Sequence, residues 1–478
     1  MVEPKAWQVT AGSAAVGLVL AAVAVAAAGP WDSGQRKAER EWAAAQGGAG
    51  GAHHGPSAPR TPAPAPSAAE VLRALTAPGT RPQAAPGTTD TELARTLGKL
   101  LDTDALGSSR TASVVDTATG EVLFTRAAGH PMTPASTVKI ATMAAALTAL
   151  GPDHRIATTV EATPDHRRIT LVGGGDATLD QRRLAALAED TARALRDADV
   201  TKVELRYDLS LYSGPREHPI GRNDNIAPVV PLMAGQGRLD KSTSGPAQRS
   251  TDPAADAARA FAGLLRDHGV RTTRAPAAGK SPKGSEPLAR TTSAPLGDLV
   301  ERALTNSDND IAESLARQTA LAAHEPASFA GADRAVTAQL GKLGMPLKGT
   351  RFADGSGLNR ADKTSAALLT ALLARAADPA HPELRPILTG LPVAGFTGTL
   401  RSRYEDAAPA AGLVRAKTGT LTGVNTLAGT VVDGEGRLLA FAFLAGGTKD
   451  PEDAQTALDR LSNALLPHPA PTPRPAQG

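Results

Sequence analysis

The chain contains no cysteine. That absence excludes a disulfide framework, a cysteine-ligated metal site and a thiol nucleophile, so any covalent chemistry falls to a hydroxyl. Aromatic residues make up only 3 % of the 478 positions, and 51 Lys and Arg against 48 Asp and Glu leave a formal net charge of +3. No run of basic residues meets an aromatic platform, so nucleic acid is not an expected partner. H-E-x-x-H is missing, and with it a zinc-protease ligand pair; G-x-S-x-G is missing, and with it a hydrolase nucleophile elbow. Two glycine stretches imitate cofactor loops. In Gly173-Gly174-Gly175 the third position of a dinucleotide fingerprint falls on Thr178, and before Gly279-Lys280-Ser281 a phosphate loop would need glycine where Arg274 stands. No metal and no cofactor is expected.

One apolar run is long. Residues 6 to 31 carry no charge and are bracketed by Trp7 and Trp31, which a helix of about 1.5 Å per residue would set roughly 36 Å apart, near the two faces of a bilayer. This reads as an N-terminal membrane anchor. A cleaved signal peptide is the alternative, with small-residue sites at Ala24-Val25-Ala26 and Ala26-Ala27-Ala28. Either way the remainder is exported. Residues 32 to 88 are rich in Pro, Ala and Gly without periodicity and read as a disordered linker, in which His53 and His54 are a solvated pair; residues 467 to 478 read as a disordered tail.

Three short patterns carry chemistry. Ser136 and Lys139 stand three apart at the start of an Ala- and Leu-rich helix, so the amine reaches the hydroxyl, the Ser136 N–H has no helical partner, and dipole and burial favour a neutral lysine. Ser307-Asp308-Asn309 lies in a loop between two helical patterns; Lys417-Thr418-Gly419-Thr420 reads as a strand. Taken alone, Ser-x-x-K is more often a capping serine before a solvated lysine. Together and in this order, the three form the set shared by active-site-serine β-lactamases and penicillin-binding proteins.

The spacings, 171 residues from Ser136 to Ser307 and 110 from Ser307 to Lys417, exceed those of a compact β-lactamase. With LVGGGDATL at 171–179, ADGSGLNR at 353–360, GTL at 398–400 and RAKTGTLTGVNTLAGTVVD at 415–433, residues 95 to 465 resemble the low-molecular-mass class C penicillin-binding proteins, D-Ala-D-Ala carboxypeptidases and endopeptidases of bacterial cell walls. The insertion is shorter than the family's usual two.

The resemblance implies an α/β (α+β) fold. A serine β-lactamase/transpeptidase-like domain, an antiparallel sheet flanked by helices, is expected from residues 89–152 and 286–466, with one inserted α/β domain at 153–285. It implies Ser136 as nucleophile, Lys139 as base, Ser307 as proton relay and Asn309 on the substrate amide. Lys417, Thr418 and Thr420 would recognise the terminal carboxylate, and the Ser136 and Thr420 amides would form the oxyanion hole beside Gly419. Asp308 is given no chemical role. Arg360 and, by rough spacing, Asp224 are expected to read the substrate side chain. Peptidoglycan stem peptides and β-lactams are the implied partners, with the membrane reached through the N-terminal segment and the cell envelope as the location. A β-lactamase and a non-catalytic wall-binding scaffold remain as other readings.

Overall fold

The strand Leu438–Gly446 (β11) shows how the chain builds its layers. Leu439, Phe441, Phe443 and Ala445 enter one apolar core and Ala440, Ala442 and Leu444 enter another, the period-two alternation of a strand buried on both faces. In this computed structural model, residues 88–405 and 408–466 are described. The expected anchor and tail, and all of the expected linker but Thr88, lie outside them. Among the described residues no helix is long and apolar enough to cross a membrane.

The first sheet has five strands in the order β2-β1-β11-β10-β9, with β1 Ser109–Asp116, β2 Val122–Arg126, β9 Arg415–Leu421 and β10 Val424–Val432. Every neighbouring pair is antiparallel. Helices α1 (Thr88–Leu101) and α10 (Pro451–Asn463) contribute Leu97, Leu101, Leu458 and Leu461 to the core on one face. The other face is covered by α2 (Lys139–Leu150) and by the helices Leu296–Thr305 (α5), Asn309–Ala322 (α6) and Ala366–Ala377 (α8). Residues 139–147 of α2 are all buried, as befits a helix apolar on every side.

A second, mixed sheet has the order β6-β5-β4-β3-β8, with β7 also paired to β5. Its strands are β3 Ala157–Ala162, β4 Arg168–Val172, β5 Lys202–Asp208, β6 Arg271–Thr272, β7 Ala277–Ala278 and β8 Glu286–Thr292. It is covered by α3 (Gln181–Asp197) and α4 (Pro253–Asp267). Strand β8 corrects the expected boundary at residue 285. It pairs antiparallel with β3, so the chain leaves the second sheet only after Thr292. Its alternation was too weak to read, because most of its residues are exposed or half-buried. Val160, Leu171 and Leu205 of this sheet share one apolar core with Ile140, Leu315 and Leu369, so the insertion is continuous with the helical layer.

Candidate active site

Ser136 lies in a single 3-10 turn, Ala135–Val138, that runs directly into α2. Side chains three apart eclipse in such a turn, and Lys139 Nζ lies 3.1 Å from Ser136 Oγ. The amine also donates to Asn309 Oδ1 at 2.7 Å and to the Ser356 carbonyl at 2.6 Å. Burial pulls Lys139 down to about 8, against the charges of Asp354, Asp308 and Glu313, which favour its protonated form. A neutral amine keeps two N–H groups and one lone pair. Two of the three partners are carbonyl oxygens that only accept, so the lone pair faces the Ser136 hydroxyl, the one partner with a proton to give. The buried setting thus selects a base directed at Ser136.

The turn is held tightly. Ala135 has φ 48°, a left-handed value that costs an L-residue on the order of 1 kcal/mol. A Cβ on Gly357 would lie 2.1 Å from the Ala135 carbonyl oxygen, and one on Gly419 would lie 2.7 Å from the Pro134 carbonyl oxygen and 3.1 Å from the Ser136 nitrogen. Glycine at 419 lets β9 approach the Ser136 amide. The Ala416 N–H donates to Pro392 O, away from β10, so the two-residue period of the strand turns the Thr418 and Thr420 amides to that same free edge.

The second pair comes from other elements. Lys417 Nζ donates to Ser307 Oγ at 2.9 Å and to the Thr418 carbonyl at 2.7 Å. Burial, and then the charge of Lys139, push the Lys417 amine well below its ordinary value. Ser307 has φ 54° between α5 and α6, and Asp308, the N-cap of α6, accepts from the Ile311 N–H. Asn309 accepts from Lys139 through Oδ1 and donates from Nδ2 to the Asn225 carbonyl at 3.0 Å, which fixes its orientation.

Under Lys139 lies the turn Asp354-Gly355-Ser356-Gly357. Asp354 accepts from the N–H groups of Ser356 and Gly357 on Oδ1 and from Asn359 N–H on Oδ2, where His218 Nε2 is also 2.9 Å away. The ring's Nδ1 accepts from the Ile220 N–H, so Nε2 carries the proton given to Asp354. Burial opposes ionisation of Asp354, but these donors, His218 foremost, hold it below the usual carboxylate range. Glu313 Oε1 accepts from Gly355 N–H at 2.9 Å and Ser356 N–H at 3.0 Å, and burial, then the Asp354 charge, raise it. The same two causes push Asp362 up to about 10, so it holds a proton at neutral pH. His218, Glu313 and Asp354 bring ligand-type atoms within 4.8 Å of one another. Those atoms already accept backbone N–H groups or each other's protons, and the group serves as the anchor of the turn that presents Ser356 O to Lys139.

A cavity of about 260 Å³ opens beside Ser136, lined also by Asn225, Ser307, Asn309, Leu358, Thr399 and Thr420. Thr399 Oγ1 is 2.8 Å from Thr418 Oγ1. Arg360 is exposed and donates to the Thr422 carbonyl at 2.6 Å, at the turn after β9. Asp224 faces a neighbouring cavity of about 270 Å³, whereas the next residue, Asn225, lines the one at Ser136. Ser136, Lys139, Ser307, Asn309, Lys417 and Thr420 therefore converge, while neither Arg360 nor Asp224 lines the cavity at Ser136. Sequence reasoning missed Asn225, Ser356 and Thr399, although RNDNIAP, ADGSGLNR and GTL flagged their segments. It also missed Glu313 and His218, for which no short pattern exists.

Two serines, each on its own buried lysine and meeting at the edge of an antiparallel sheet, are the arrangement of the active-site-serine penicillin-binding proteins. Within that class, residues 93–245 and 238–465 match the family described as D-Ala-D-Ala carboxypeptidase 3 (S13), and the chain belongs to it, a low-molecular-mass class C penicillin-binding protein. It is 37 % identical over 424 residues to carboxypeptidase DacB of Mycolicibacterium smegmatis, covering 84 % of this chain and 89 % of that one. It is 30 % identical over 451 residues to a D-alanyl-D-alanine carboxypeptidase of an Actinomadura species, covering 76 % and 82 %. Its fold is similar to that of crystalline penicillin binding protein 4 of Haemophilus influenzae, with a TM-score of 0.65, 22 % identity, and coverage of 78 % of this chain and 97 % of that one.

Proposed function

We propose that the protein is a serine-type D-Ala-D-Ala carboxypeptidase and endopeptidase of cell-wall peptidoglycan peptides that is also acylated by penicillin. One observation carries the reading: the Lys139 amine, depressed to about 8, has Ser136 Oγ as its one proton-giving partner among the described residues. Membership of a family described as D-Ala-D-Ala carboxypeptidases and the name of the Actinomadura relative support the substrate class.

A D-Ala-D-Xaa peptide lies along the free edge of β9, where an extended chain finds unpaired backbone groups. Lys139 takes the Ser136 proton as Oγ attacks the scissile carbonyl, and the Ser136 and Thr420 amides bind the oxyanion. Ser307 relays a proton to the leaving amine, which departs as D-Ala and leaves an acyl-enzyme for water to hydrolyse. Asn309 holds Lys139 and faces the substrate amide. The terminal carboxylate binds at Thr418, Thr420 and Thr399. Its negative charge favours a proton on Lys417, so the positive field expected of that lysine is one the substrate helps to create. Arg360 and Asp224 read the side chain of the stem peptide. The enzyme acts outside the cytoplasm in the cell envelope, tethered by residues 6–31 or released after their cleavage.

The test is an intact mass measurement after incubation with penicillin, followed by peptide mapping. The expected result is one penicilloyl adduct on Ser136 and, in parallel, D-Ala release from an acyl-D-Ala-D-Ala peptide that Ser136→Ala abolishes. An adduct at another residue, or none on folded protein, would sink the reading. Rapid turnover of nitrocefin would favour a β-lactamase instead.

A further inference from the structure

Three consecutive residues of the Ser307 turn are gripped by one segment of the inserted region. Asp308 Oδ2 accepts from Gln236 Nε2 at 2.6 Å, while its Oδ1 caps α6 by accepting from Ile311 N–H at 3.0 Å. Asn309 Nδ2 donates to the Asn225 carbonyl, and Asp310 accepts from Arg249 Nη1 at 2.9 Å. Arg249 Nη1 also donates to the Gln236 carbonyl at 2.7 Å, which ties the clamp together. Gln236 Oε1 accepts from Arg238 Nε, so both ends of its amide are engaged and its orientation is fixed. Gln236 and Asp308 are only 2 % and 7 % exposed, which makes their contact expensive to leave unmade. Gln236 lies in left-handed backbone at φ 57°, and so does Ser307, the residue before Asp308, at φ 54°. Such conformations persist only where their surroundings hold them.

We infer that Gln236 is a positioning residue for the catalytic centre: its bond to Asp308 holds Ser307 in the left-handed turn that sets its hydroxyl against Lys417, and holds Asn309 against Lys139. The inference rests on the reading of Ser307 and Asn309 as catalytic residues. It gives the insertion a role in the chemistry, since Gln236 comes from the insertion and Ser307 from the segment between two helices of the other part. It also gives Asp308 a task, as the group that couples the cap of α6 to the insertion.

A polarity swap tests it. Gln236→Glu sets a second carboxylate against Asp308 and should lower kcat for D-Ala release by about tenfold or more, with KM within about threefold. Adding Asp308→Asn restores a donor and an acceptor in reversed order, because an asparagine still caps the helix through its oxygen and donates from its nitrogen. The double variant should recover kcat to within about threefold of the wild type. Gln236→Leu, which removes the bond without adding charge, should lower kcat per penicillin-titrated site, whereas a merely structural role would lower the number of titratable sites and leave the rate at each unchanged. A double variant no faster than Gln236→Glu, or Gln236→Leu with wild-type kcat per site, would overturn the inference. Ser307→Ala and Asn309→Ala serve as controls: if they retain wild-type kcat the catalytic reading fails, and if they lose it while the Gln236 variants stay silent only the clamp fails.

Discussion

Lys417 Nζ lies 2.9 Å from Ser307 Oγ, so the second lysine of the site serves a different serine from the first. Both amines are fully enclosed, and two enclosed positive charges close together oppose each other. Lys139 has the charges of Asp354, Asp308 and Glu313 to favour its proton; for Lys417, burial and the Lys139 charge act in the same downward direction. The site therefore gives Ser136 an amine that loses its proton near pH 8, and Ser307 a second amine whose protonation the charge of an arriving substrate carboxylate favours.

The pH profile of acylation follows from Lys139. Its active form is the unprotonated amine, and its pKa is about 8, so the second-order rate constant for penicillin acylation should climb toward tenfold per pH unit below that value and level off above it. Lys139→Ala should lose on the order of 10³-fold or more at every pH while retaining its fold. The same shift affects stability: the unfolded chain binds a proton that the folded chain lacks between about 8 and 10.5, so this group makes stability rise with pH across that window. Stopped-flow acylation between pH 6 and 9.5 checks the kinetic half, and a flat profile would remove Lys139 from the base role.

Gly419→Ala probes the approach of β9 to the nucleophile. The added Cβ would stand 2.2 Å from Thr426 Oγ1, 2.7 Å from the Pro134 carbonyl and 3.1 Å from the Ser136 nitrogen. Two of those three atoms belong to backbone that cannot swing away, so the strand must retreat from the Ser136 amide. The expected outcome is loss of acylation by about 10²-fold, the scale of a lost oxyanion donor, and a smaller effect on binding. The ratio of kcat to KM changes for an acyl-D-Ala-D-Ala peptide measures this.

Asp354 and Asp362 should respond oppositely to the same substitution. The Asp354 carboxylate accepts from three backbone N–H groups and from His218, and an amide offers only one accepting oxygen, so Asp354→Asn should cost roughly 3 kcal/mol. Asp362 is already protonated in the folded state up to about pH 10 and deprotonates near 3.8 when unfolded, so it makes stability fall as pH rises between those values. Asp362→Asn cannot ionise in either state. Its Tm should match or exceed the wild type at pH 8, with an advantage that grows with pH. Thermal melts at pH 5 and pH 8 for both variants check the contrast.

The sequence disclosed the parts of this site whose chemistry is local. Ser136 and Lys139 share one turn, and their pairing follows from spacing alone; the strand at Lys417 and the helix starts around Ser307 were legible for the same reason. Strands β10 and β11 are legible as a hairpin because they are long apolar runs joined by the short turn at Asp433, whereas the antiparallel sheet as a whole was expected from the family resemblance. What stayed hidden was the tertiary chemistry. Nothing local to Gln236 says that its amide will meet Asp308, 72 residues on, and Glu313 looks like any polar residue of α6 until its two backbone N–H partners are seen. β8 was assigned to the wrong side of the boundary because a largely exposed strand gives no burial pattern to read.

Neither Arg360 nor Asp224 lines the cavity at Ser136, and their substitution separates recognition from scaffolding. Arg360 is exposed and donates to the Thr422 carbonyl at 2.6 Å, so it ties the segment after Gly357 to the turn that follows Thr420. A guanidinium has five N–H donors, and one bond to a carbonyl leaves others to meet a carboxylate on a stem peptide that a simple penicillin lacks. Arg360→Ala should therefore lower kcat/KM for a muropeptide ending in D-Ala-D-Ala by about tenfold or more, equivalent to about 1.4 kcal/mol, while penicillin acylation changes little. Equal losses on both substrates would mean that Arg360 only holds the Thr422 turn. Asp224 opens onto the neighbouring cavity of about 270 Å³, beyond Asn225, so it meets only a substrate long enough to pass that residue. Asp224→Asn should then slow muropeptides that carry a free side-chain amine and spare those in which the amine is acetylated. If both are cleaved at the wild-type rate, Asp224 contributes only its backbone carbonyl, which accepts from Ala247 N–H at 2.9 Å and shapes the loop.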